Sequence, residues 1–290
     1  MEYILHIAIM INIYIILVLS ANLPIGMANL LTLGQAAFYG IGAYISAFFL
    51  MQFQLPFIIV ALAVMLLTGL FSYMVSFASV KLKGDYFVLA TLGFQMIIYT
   101  VLYNWTSVTR GPYGIPGIPA VKLAGIWSVS GVYGYFLLTT LIAITTSYLF
   151  KAVKFSPFGR VLRALRNDEL SVAAMGRNPV TFKSWAFFLS AAFSGLAGLI
   201  YASYVSYVDP TSFTLDESIF IISALFIGGT GNIRGPVLGA VFVVVLPELL
   251  RFVGLPNAIA ANMRQIIYGL ALILVMYFRP QGIWGETEMK

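Results

Sequence analysis

The chain has 290 residues, of which 61% are hydrophobic and only 9% are charged. A soluble domain carries about a quarter charged residues, so this composition excludes an ordinary soluble protein. Lysine and arginine outnumber aspartate and glutamate by 16 to 10, and the chain has no cysteine, which excludes disulfides and thiolate metal sites.

Long apolar runs dominate the chain and set its fold class. Runs of about 20 apolar residues match the length of a helix that crosses a bilayer. The alternation typical of membrane-barrel strands is absent, and backbone groups in lipid need internal partners. We therefore predict an all-α, polytopic transmembrane protein with about eight to ten spans. The apolar segments are 3–20, 33–52, 56–79, 86–103, 132–150, 184–206, 217–229, 235–253 and 263–278.

The first span is expected to remain in place. The first basic residue is Lys81, so the N-terminal segment lacks the positive region of a cleaved signal peptide. The only histidine, His6, is interpreted as an interhelical hydrogen-bonding or membrane-interface residue rather than as a catalytic base. Asp85 and Glu248 lie near span ends, which disfavours ion coupling. The residues form no catalytic or metal-binding constellation, so the chain is not expected to be an enzyme.

Residues 22–35, NLPIGMANLLTLGQ, interrupt the apolar pattern with proline, glycine and polar side chains. Two interpretations stay open: a simple polar turn, or a broken helix that lines a transport pathway. The seventh segment, 217–229, is short, so it is either re-entrant or continues past its glycines. The candidate pathway-lining residues are Asn22, Asn29, Thr32, Gln35 and Thr91.

Two sets of small residues repeat every four positions, which predicts close helix packing rather than a ligand site. The sets are Ser190, Ser194 and Gly198, and Gly231, Gly235 and Gly239. The glycine-rich stretch 228–235 lacks the terminal Lys-Ser/Thr of a phosphate loop, which favours a turn between spans over nucleotide binding. The Pro/Gly-rich stretch 111–119 is either a fixed docking surface or gate, or an ordinary loop.

The distribution of basic residues predicts the orientation in the membrane. If 151–183 is cytoplasmic, alternation of the spans puts 12 of the 16 lysines and arginines on that side. The positive-inside rule then places the N-terminus outside and the C-terminus inside.

The most charged stretch of the chain is SPFGRVLRALRNDEL, residues 156–170. Ser156 and Pro157 are typical of a helix start, and a second short helix is expected to end at Gly176. Phe158, Val161, Ala164 and Leu165 are predicted to share one face, opposite a stripe formed by Arg160, Arg163 and Arg166. Such a helix could meet anionic lipid or dock a soluble partner. Asp168 and Glu169, which an anionic surface would repel, favour docking.

Six ordered motifs resemble the permeases of branched-chain amino acid ABC importers, and nearly the whole chain is covered. Two of them, LKGDYFVLATLGF (82–94) and FRPQGIWG (278–285), resemble the M-type rather than the H-type permease. Family members tend to carry a glycine where this chain has Arg110. The motifs lie at 30–47, 82–94, 104–119, 156–202, 227–240 and 278–285.

The resemblance implies a single transmembrane permease domain over 1–290 with a cytoplasmic coupling segment at about 151–183. The expected partners are a second homologous permease, two cytoplasmic ATP-binding subunits, an extracytoplasmic substrate-binding protein and membrane lipid, with no nucleic acid. Arg160, Arg163, Arg166, Asp168, Glu169 and Gly176 would couple to an ATPase, and this chain would hold no cofactor or metal. The implied cargo is leucine, isoleucine or valine. Urea or short amides, or a stand-alone carrier or facilitator, are alternatives. The expected location is a bacterial or archaeal plasma membrane.

Overall fold

The computed structural model describes residues 2–82, 84–123, 127–129 and 131–252, then 266–267, 269–270, 273–274, 277–278 and 282–285. The described residues are mainly helical, so the predicted all-α polytopic fold is confirmed. Five helical stretches in this part of the chain are long and apolar enough to cross a membrane: Glu2–Met27, Phe57–Phe77, Asp85–Asn104, Gly131–Phe155 and Pro179–Val205. Most of the ninth predicted segment, 263–278, lies outside the described residues.

The first eight predicted segments each correspond to one helix, and shorter helices occupy the loops. The helices are α1 (Glu2–Asn22), α2 (Gln35–Gln52), α3 (Phe57–Ser79), α4 (Asp85–Asn104), α5 (Thr106–Thr109), α6 (Gly131–Phe155), α7 (Pro157–Asn167), α8 (Glu169–Ala174), α9 (Pro179–Val205), α10 (Leu215–Gly228) and α11 (Arg234–Phe252). The two-residue strands are β1 (Ile115–Pro116), β2 (Lys122–Leu123), β3 (Trp127–Ser128) and β4 (Tyr207–Val208).

The seventh segment is a short helix that ends at its glycines. α10 has 14 residues, which corresponds to about 21 Å, less than the ~30 Å apolar layer of a bilayer. Gly229 and Gly231 have φ angles of 107° and 85°, a left-handed region that favours glycine. The expectation that this helix continues past its glycines is therefore wrong.

α9 is the central helix of the bundle and packs along α2 and α3. A Cβ atom added to Gly198 would collide with the backbone of Tyr39, and one added to Gly42 would collide with Gly195. Glycines on both helices thus allow the backbones to approach as closely as small-residue faces in membranes do.

The predicted glycine repeat at 231, 235 and 239 is only partly helical. Gly235 and Gly239 lie on α11, and a Cβ on Gly239 would collide with Ala224 of α10. Gly231 lies in the turn before α11, so the three glycines do not form one continuous helix face. The four-residue spacing could not reveal where the helix begins.

The Pro/Gly-rich stretch 111–119 is held against the chain that follows α9. β1 pairs antiparallel with β4, and the Gly117 N–H donates to the Ser206 carbonyl at 3.0 Å. The Tyr207 hydroxyl donates to the Tyr113 carbonyl at 3.1 Å. Backbone pairing therefore fixes the shape of this loop.

Candidate functional site

The break after α1 is the first candidate site. α1 continues into a π-helical turn, Leu23–Met27, and α2 begins only at Gln35. Asn22, Thr32 and Gln35 are buried, whereas Asn29 is exposed and has a φ of 53°. The interpretation as a simple polar turn is therefore wrong, because most of its polar side chains lie inside the protein. Irregular backbone at membrane depth is tolerated in that situation.

Asn22 ties the end of α1 to the start of α11. Its side-chain amide donates to the Asn232 carbonyl at 2.6 Å, and its side-chain oxygen accepts the Gly231 N–H at 3.0 Å. The Asn232 side chain accepts the Gly235 N–H at 2.7 Å and donates to the Trp284 carbonyl. Two buried asparagines thus connect the break, the turn before α11 and the segment around Trp284.

Gln35 joins α1, α2 and α9. Its Nε2 lies 2.7 Å from the hydroxyl oxygens of Ser20 and Ser194 and 3.1 Å from that of Ser190. An amide nitrogen carries two protons, so two of these three bonds can form at once. Ser20 and Ser194 also lie 2.8 Å apart and exchange a hydrogen bond. The two serines predicted for helix packing therefore also make polar contacts.

The first N–H groups of α2 are satisfied by side chains from α4 and α10. Ala36 donates to the Ser218 hydroxyl at 2.9 Å, and Ala37 donates to Gln95 Oε1 at 2.6 Å. The Thr91 hydroxyl accepts the Leu33 N–H at 3.1 Å, just before the helix. These bonds replace the partners that a helix N-terminus lacks.

Gln95 and Ser218 were missed by the sequence analysis. Gln95 also donates to the Phe213 carbonyl at 2.8 Å, so it contacts three parts of the chain. The available signal was its position one turn after Thr91 on an otherwise apolar helix. We call the buried set Asn22, Gln35, Thr91, Gln95 and the serines they contact the polar centre.

The polar centre is a neutral joint between helices. Its side chains are amides and hydroxyls, and their hydrogen bonds run to protein atoms on α1, α2, α4, α9, α10 and the turn before α11. Such a joint holds helices in a defined register and can exchange partners when they move. The pathway-lining role of Asn22, Thr32, Gln35 and Thr91 stays a prediction, and Asn29 lies outside this buried set.

His6 makes the interhelical contact predicted for it, since its Nδ1 hydrogen-bonds the Tyr204 hydroxyl of α9. A second contact, missed by the sequence analysis, joins α1 to α10, where the Tyr14 hydroxyl donates to Glu217 Oε1 at 2.7 Å. Glu217 lies in the first turn of α10, where a carboxylate is favoured by the helix dipole.

Residues 156–178, called here the coupling segment, form the two short helices that the sequence predicted. The Ser156 hydroxyl accepts the Gly159 N–H at 3.2 Å, and Pro157 is the first residue of α7. Asp168 caps α8 by accepting the Leu170 N–H at 2.9 Å. Gly176 follows α8 with a φ of 77°. The helix boundaries follow directly from these local capping residues.

The three arginines of α7 do not form one exposed stripe. Only Arg160 is exposed, while Arg163 donates to the Lys154 carbonyl at 3.3 Å. Arg166 donates to the carbonyl of Gly26, in the π-helical turn, at 2.7 Å. The fully buried side of α7 is formed by Gly159, Leu162 and Leu165, so of the predicted apolar face only Leu165 is fully buried.

Arg166 therefore connects the coupling segment to the break. Burial lowers the pKa of its guanidinium from the ordinary value, although an arginine stays charged at physiological pH. A charged donor to a carbonyl makes a stronger bond than a neutral one. The distance along the chain between the two residues is 140 positions, which is why no local pattern predicts the contact.

The two carboxylates of the coupling segment have partners within the chain. Glu169 forms a salt bridge with Lys183 of α9, with 2.6 Å between Oε2 and Nζ. Asp168 accepts hydrogen bonds from the hydroxyl and backbone of Ser171, which lower the pKa of its carboxyl. Both charges thus stabilise the local fold, and the docking role of Asp168 and Glu169 stays a prediction.

Two large apolar side chains are exposed on α8 and on the residue that follows it. Leu170 is 78% exposed and Met175 is 69% exposed, and Arg160 and Gly176 are exposed nearby along the chain. Large apolar side chains on a short helix between spans are more typical of a contact surface than of a solvated loop. Neither apolar residue was predicted as part of this surface, because the prediction rested on charge.

Comparisons with known proteins agree with this architecture. A family model described as "Branched-chain amino acid transport system / permease component" matches residues 3–276. The high-affinity branched-chain amino acid transport system permease protein LivM of Salmonella typhimurium is 33% identical, over 97% of this chain and 70% of its own length. LivM of Escherichia coli is 32% identical over the same shares.

A more distant relative has another subunit name. The permease protein LivH of Salmonella typhimurium is 21% identical, over 96% of this chain and 92% of its own length. No solved structure matches significantly. The protein is a multi-pass permease of the plasma membrane, which is the inner membrane in Gram-negative bacteria. The chain belongs to the family of branched-chain amino acid transport system permease components.

Proposed function

We propose that this chain is one of two permease subunits of an ATP-driven importer for branched-chain amino acids. A second, LivH-like permease completes the pathway, two cytoplasmic ATPases bind the coupling segments, and an external binding protein delivers the substrate. The observation that carries the proposal is the hydrogen bond from Arg166 to the Gly26 carbonyl. It links the segment that would meet an ATPase to the broken helix beside the polar centre.

The connections of the coupling segment support movement as a unit. α7 follows α6 after the single residue Ser156, and Asn178 caps α9 directly after α8 by accepting the Val180 N–H at 3.1 Å. The Glu169–Lys183 salt bridge adds a second tie to α9. Displacement of α7 and α8 would therefore pull on α6, α9 and the π-helical turn together. Packed elements of this kind switch between discrete arrangements rather than bend.

The uncharged side chains of the polar centre favour a cargo with an apolar side chain, one that is selected by another protein of the importer. Amide and hydroxyl groups offer weak, exchangeable hydrogen bonds, whereas a fixed ion pair would hold a zwitterionic amino acid tightly and slow its release. Selection among solutes would then rest mainly on the binding protein. Leucine, isoleucine and valine are the cargo we propose, and urea or short amides are the competing cargo.

Reconstituted transport tests this function. The chain is placed in proteoliposomes with the second permease, the ATPases and the binding protein, and uptake of leucine, isoleucine, valine, urea and acetamide is measured. We expect uptake of the three amino acids that needs both ATP and the binding protein. Uptake by this chain alone would contradict the proposal, as would transport of the amides in place of the amino acids.

Docking is tested separately on the exposed part of the coupling segment. Arg160→Glu and Leu170→Glu should reduce co-purification of the ATPase, because both side chains are exposed on that segment. Lys122→Glu, an equally exposed charge reversal far from the coupling segment, is the matched control. Unchanged ATPase binding in both coupling-segment variants would contradict the docking role.

A further inference from the structure

A basic cavity lies where α6 ends and α11 begins. Its volume is about 470 Å³, within the range of small-molecule sites. Two exposed cationic residues line it, Lys151 and Arg234, together with the buried Lys154, and none of its described lining residues is acidic. Its other lining residues are Ser147, Tyr148, Phe155, Asn232, Ile233 and Trp284. A cavity with this charge fits an anion.

The walls of the cavity are held in place by the backbone. The Trp284 N–H donates to the Gly228 carbonyl at 2.9 Å, at the end of α10. The Arg234 guanidinium lies 5.7 Å from the centre of the Trp284 ring, within cation–π distance. The ring therefore orients the arginine at the first residue of α11.

An exposed apolar stripe on α6 leads directly to this cavity. Leu137, Leu141, Ile144 and Tyr148 are all exposed and follow one another at intervals of three or four residues, so they share one helix face. The next residue at this interval is Lys151, a wall of the cavity. The stripe from residue 137 to 148 is about 17 Å long, close to the ~15 Å of one bilayer leaflet.

We propose that the basic cavity binds the headgroup of an anionic phospholipid whose acyl chains lie along the α6 stripe. Lys151 and Arg234 neutralise the phosphate, and the stripe explains why the ligand carries apolar chains. A free phosphate would use the cations but not the stripe. The proposal concerns a site separate from the coupling segment and from the transported solute.

A hydrogen bond connects the cavity to the break after α1, so a bound lipid can affect the helices of the polar centre. Asn232 lines the cavity, and its carbonyl accepts the hydrogen bond from the Asn22 side chain at 2.6 Å. A headgroup that fixes the turn before α11 would therefore also fix the end of α1. Occupancy of the site should stabilise the arrangement of the polar centre described above.

Lipid binding by the purified full-length chain tests the site. Binding of phosphatidylglycerol and of phosphatidylcholine is measured in detergent by native mass spectrometry, for the wild type and for Lys151→Gln with Arg234→Gln. Each cation near a membrane surface contributes a factor of about five in affinity, so the double variant should bind phosphatidylglycerol roughly 25-fold more weakly. Phosphatidylcholine should bind weakly to both proteins.

Controls separate a local site from net charge and from loss of folding. Arg160→Gln with Arg177→Gln removes two exposed cations outside the cavity and should leave phosphatidylglycerol binding unchanged. Arg234→Lys keeps the charge and should retain most of the binding. If the double variant fails to fold, Lys151→Gln alone carries the test, because the Lys151 side chain is exposed.

Three results would overturn the proposal. The first is equal phosphatidylglycerol binding by the wild type and the double variant. The second is displacement of the lipid by inorganic phosphate at equal concentration, which would assign the cavity to a free ion. The third is loss of ATPase co-purification with unchanged lipid binding, which would assign these cations to an acidic surface of the ATPase.

Discussion

Arg110 is held in a backbone conformation that suits glycine. Its φ of 60° and ψ of 10° lie in the left-handed region, just before the Pro/Gly-rich loop. This conformation costs a residue with a Cβ about 1–2 kcal/mol. The glycine that the family resemblance implies at this position thus has a physical reason, and this chain carries a strained residue instead.

Replacement of Arg110 by glycine should raise stability. Relief of the strain outweighs the extra freedom of glycine in the unfolded chain, for a net gain of about 0.5–1 kcal/mol. The same change at Arg160, inside α7, should lower stability by about 1 kcal/mol, because glycine disfavours a helix. Thermal unfolding in detergent measures the stability of both variants. An unfolding midpoint of Arg110→Gly below that of the wild type would contradict the presence of backbone strain at Arg110.

Arg166 should control how efficiently ATP hydrolysis drives transport. Arg166→Gln removes a charged hydrogen bond to the Gly26 carbonyl, worth about 1.5–3 kcal/mol. We expect amino acid uptake per ATP hydrolysed to fall by about tenfold or more, while the ATPase still binds. The measurement is the ratio of uptake to phosphate release in proteoliposomes that contain the complete importer.

Two variants separate coupling from docking. Arg160→Gln removes a neighbouring exposed charge and should affect ATPase binding rather than the uptake ratio. Arg166→Lys retains a charged donor and should recover part of the ratio. An Arg166→Gln protein with normal uptake per ATP would show that this bond transmits no movement.

At the scale of the helices, the contact between α2 and α9 depends on the absence of side chains. Gly42→Ala places a Cβ against the Gly195 backbone, and overpacking of this kind costs about 1–3 kcal/mol. Gly93→Ala on α4 is the matched control, because no atom of the described residues lies within 4 Å of the added Cβ. Since alanine favours a helix by up to about 1 kcal/mol, the control should be neutral or stabilising.

The yield of monodisperse protein and the unfolding midpoint report both substitutions. We expect Gly42→Ala to lower the unfolding midpoint and Gly93→Ala to leave it unchanged or raise it, although both replace glycine by alanine. Equal stability of the two variants would mean that α2 and α9 can separate without cost, which the burial of α9 disfavours.

Helix boundaries were predictable from sequence wherever a local signal sets them. Ser156 with Pro157 begins α7 as predicted, because capping depends on residues that are neighbours in the chain. Asn178 with Pro179 is the same signal and begins α9, although the apolar pattern had placed the start of this segment at 184. The burial of α7 was not predictable in the same way. Arg166 turns inward because a carbonyl 140 residues away is available, and only the fold supplies that partner.

In the candidate site, too, some features were predictable from the sequence and others were not. Asn22 and Gln35 stood out because they are polar residues inside an apolar pattern. Gln95 lies inside the apolar run predicted as a continuous span, with no proline beside it to mark a break. Glu169 was interpreted as a docking charge because an anionic lipid surface would repel it, and its salt bridge to Lys183 of α9 could not be predicted from the sequence. Polarity was thus visible in the sequence, whereas pairing was not.

At the scale of the whole molecule, the outer helices expose large apolar side chains, and buried polar side chains connect the inner helices. α3, α4 and α6 present large apolar side chains such as Leu62, Leu89 and Leu141 outward. The polar centre lies inside, where α1, α2, α4, α9, α10 and the turn before α11 meet. An apolar outer surface suits contact with lipid, and the buried polar groups find their partners inside the protein.

The proposed orientation, with the coupling segment in the cytoplasm, can be tested without background labelling because the chain has no cysteine. Tyr113 is 85% exposed in the loop predicted to face outward, and Arg160 is exposed on the coupling segment. In spheroplasts, a membrane-impermeant maleimide should label Tyr113→Cys directly but Arg160→Cys only after permeabilisation. Twelve of the 16 basic residues lie on the Arg160 side of this arrangement, which is the physical basis of the expectation. Labelling of Arg160→Cys in intact spheroplasts would show that the protein has the opposite orientation. The coupling segment would then lie outside the cell, out of reach of any cytoplasmic ATPase.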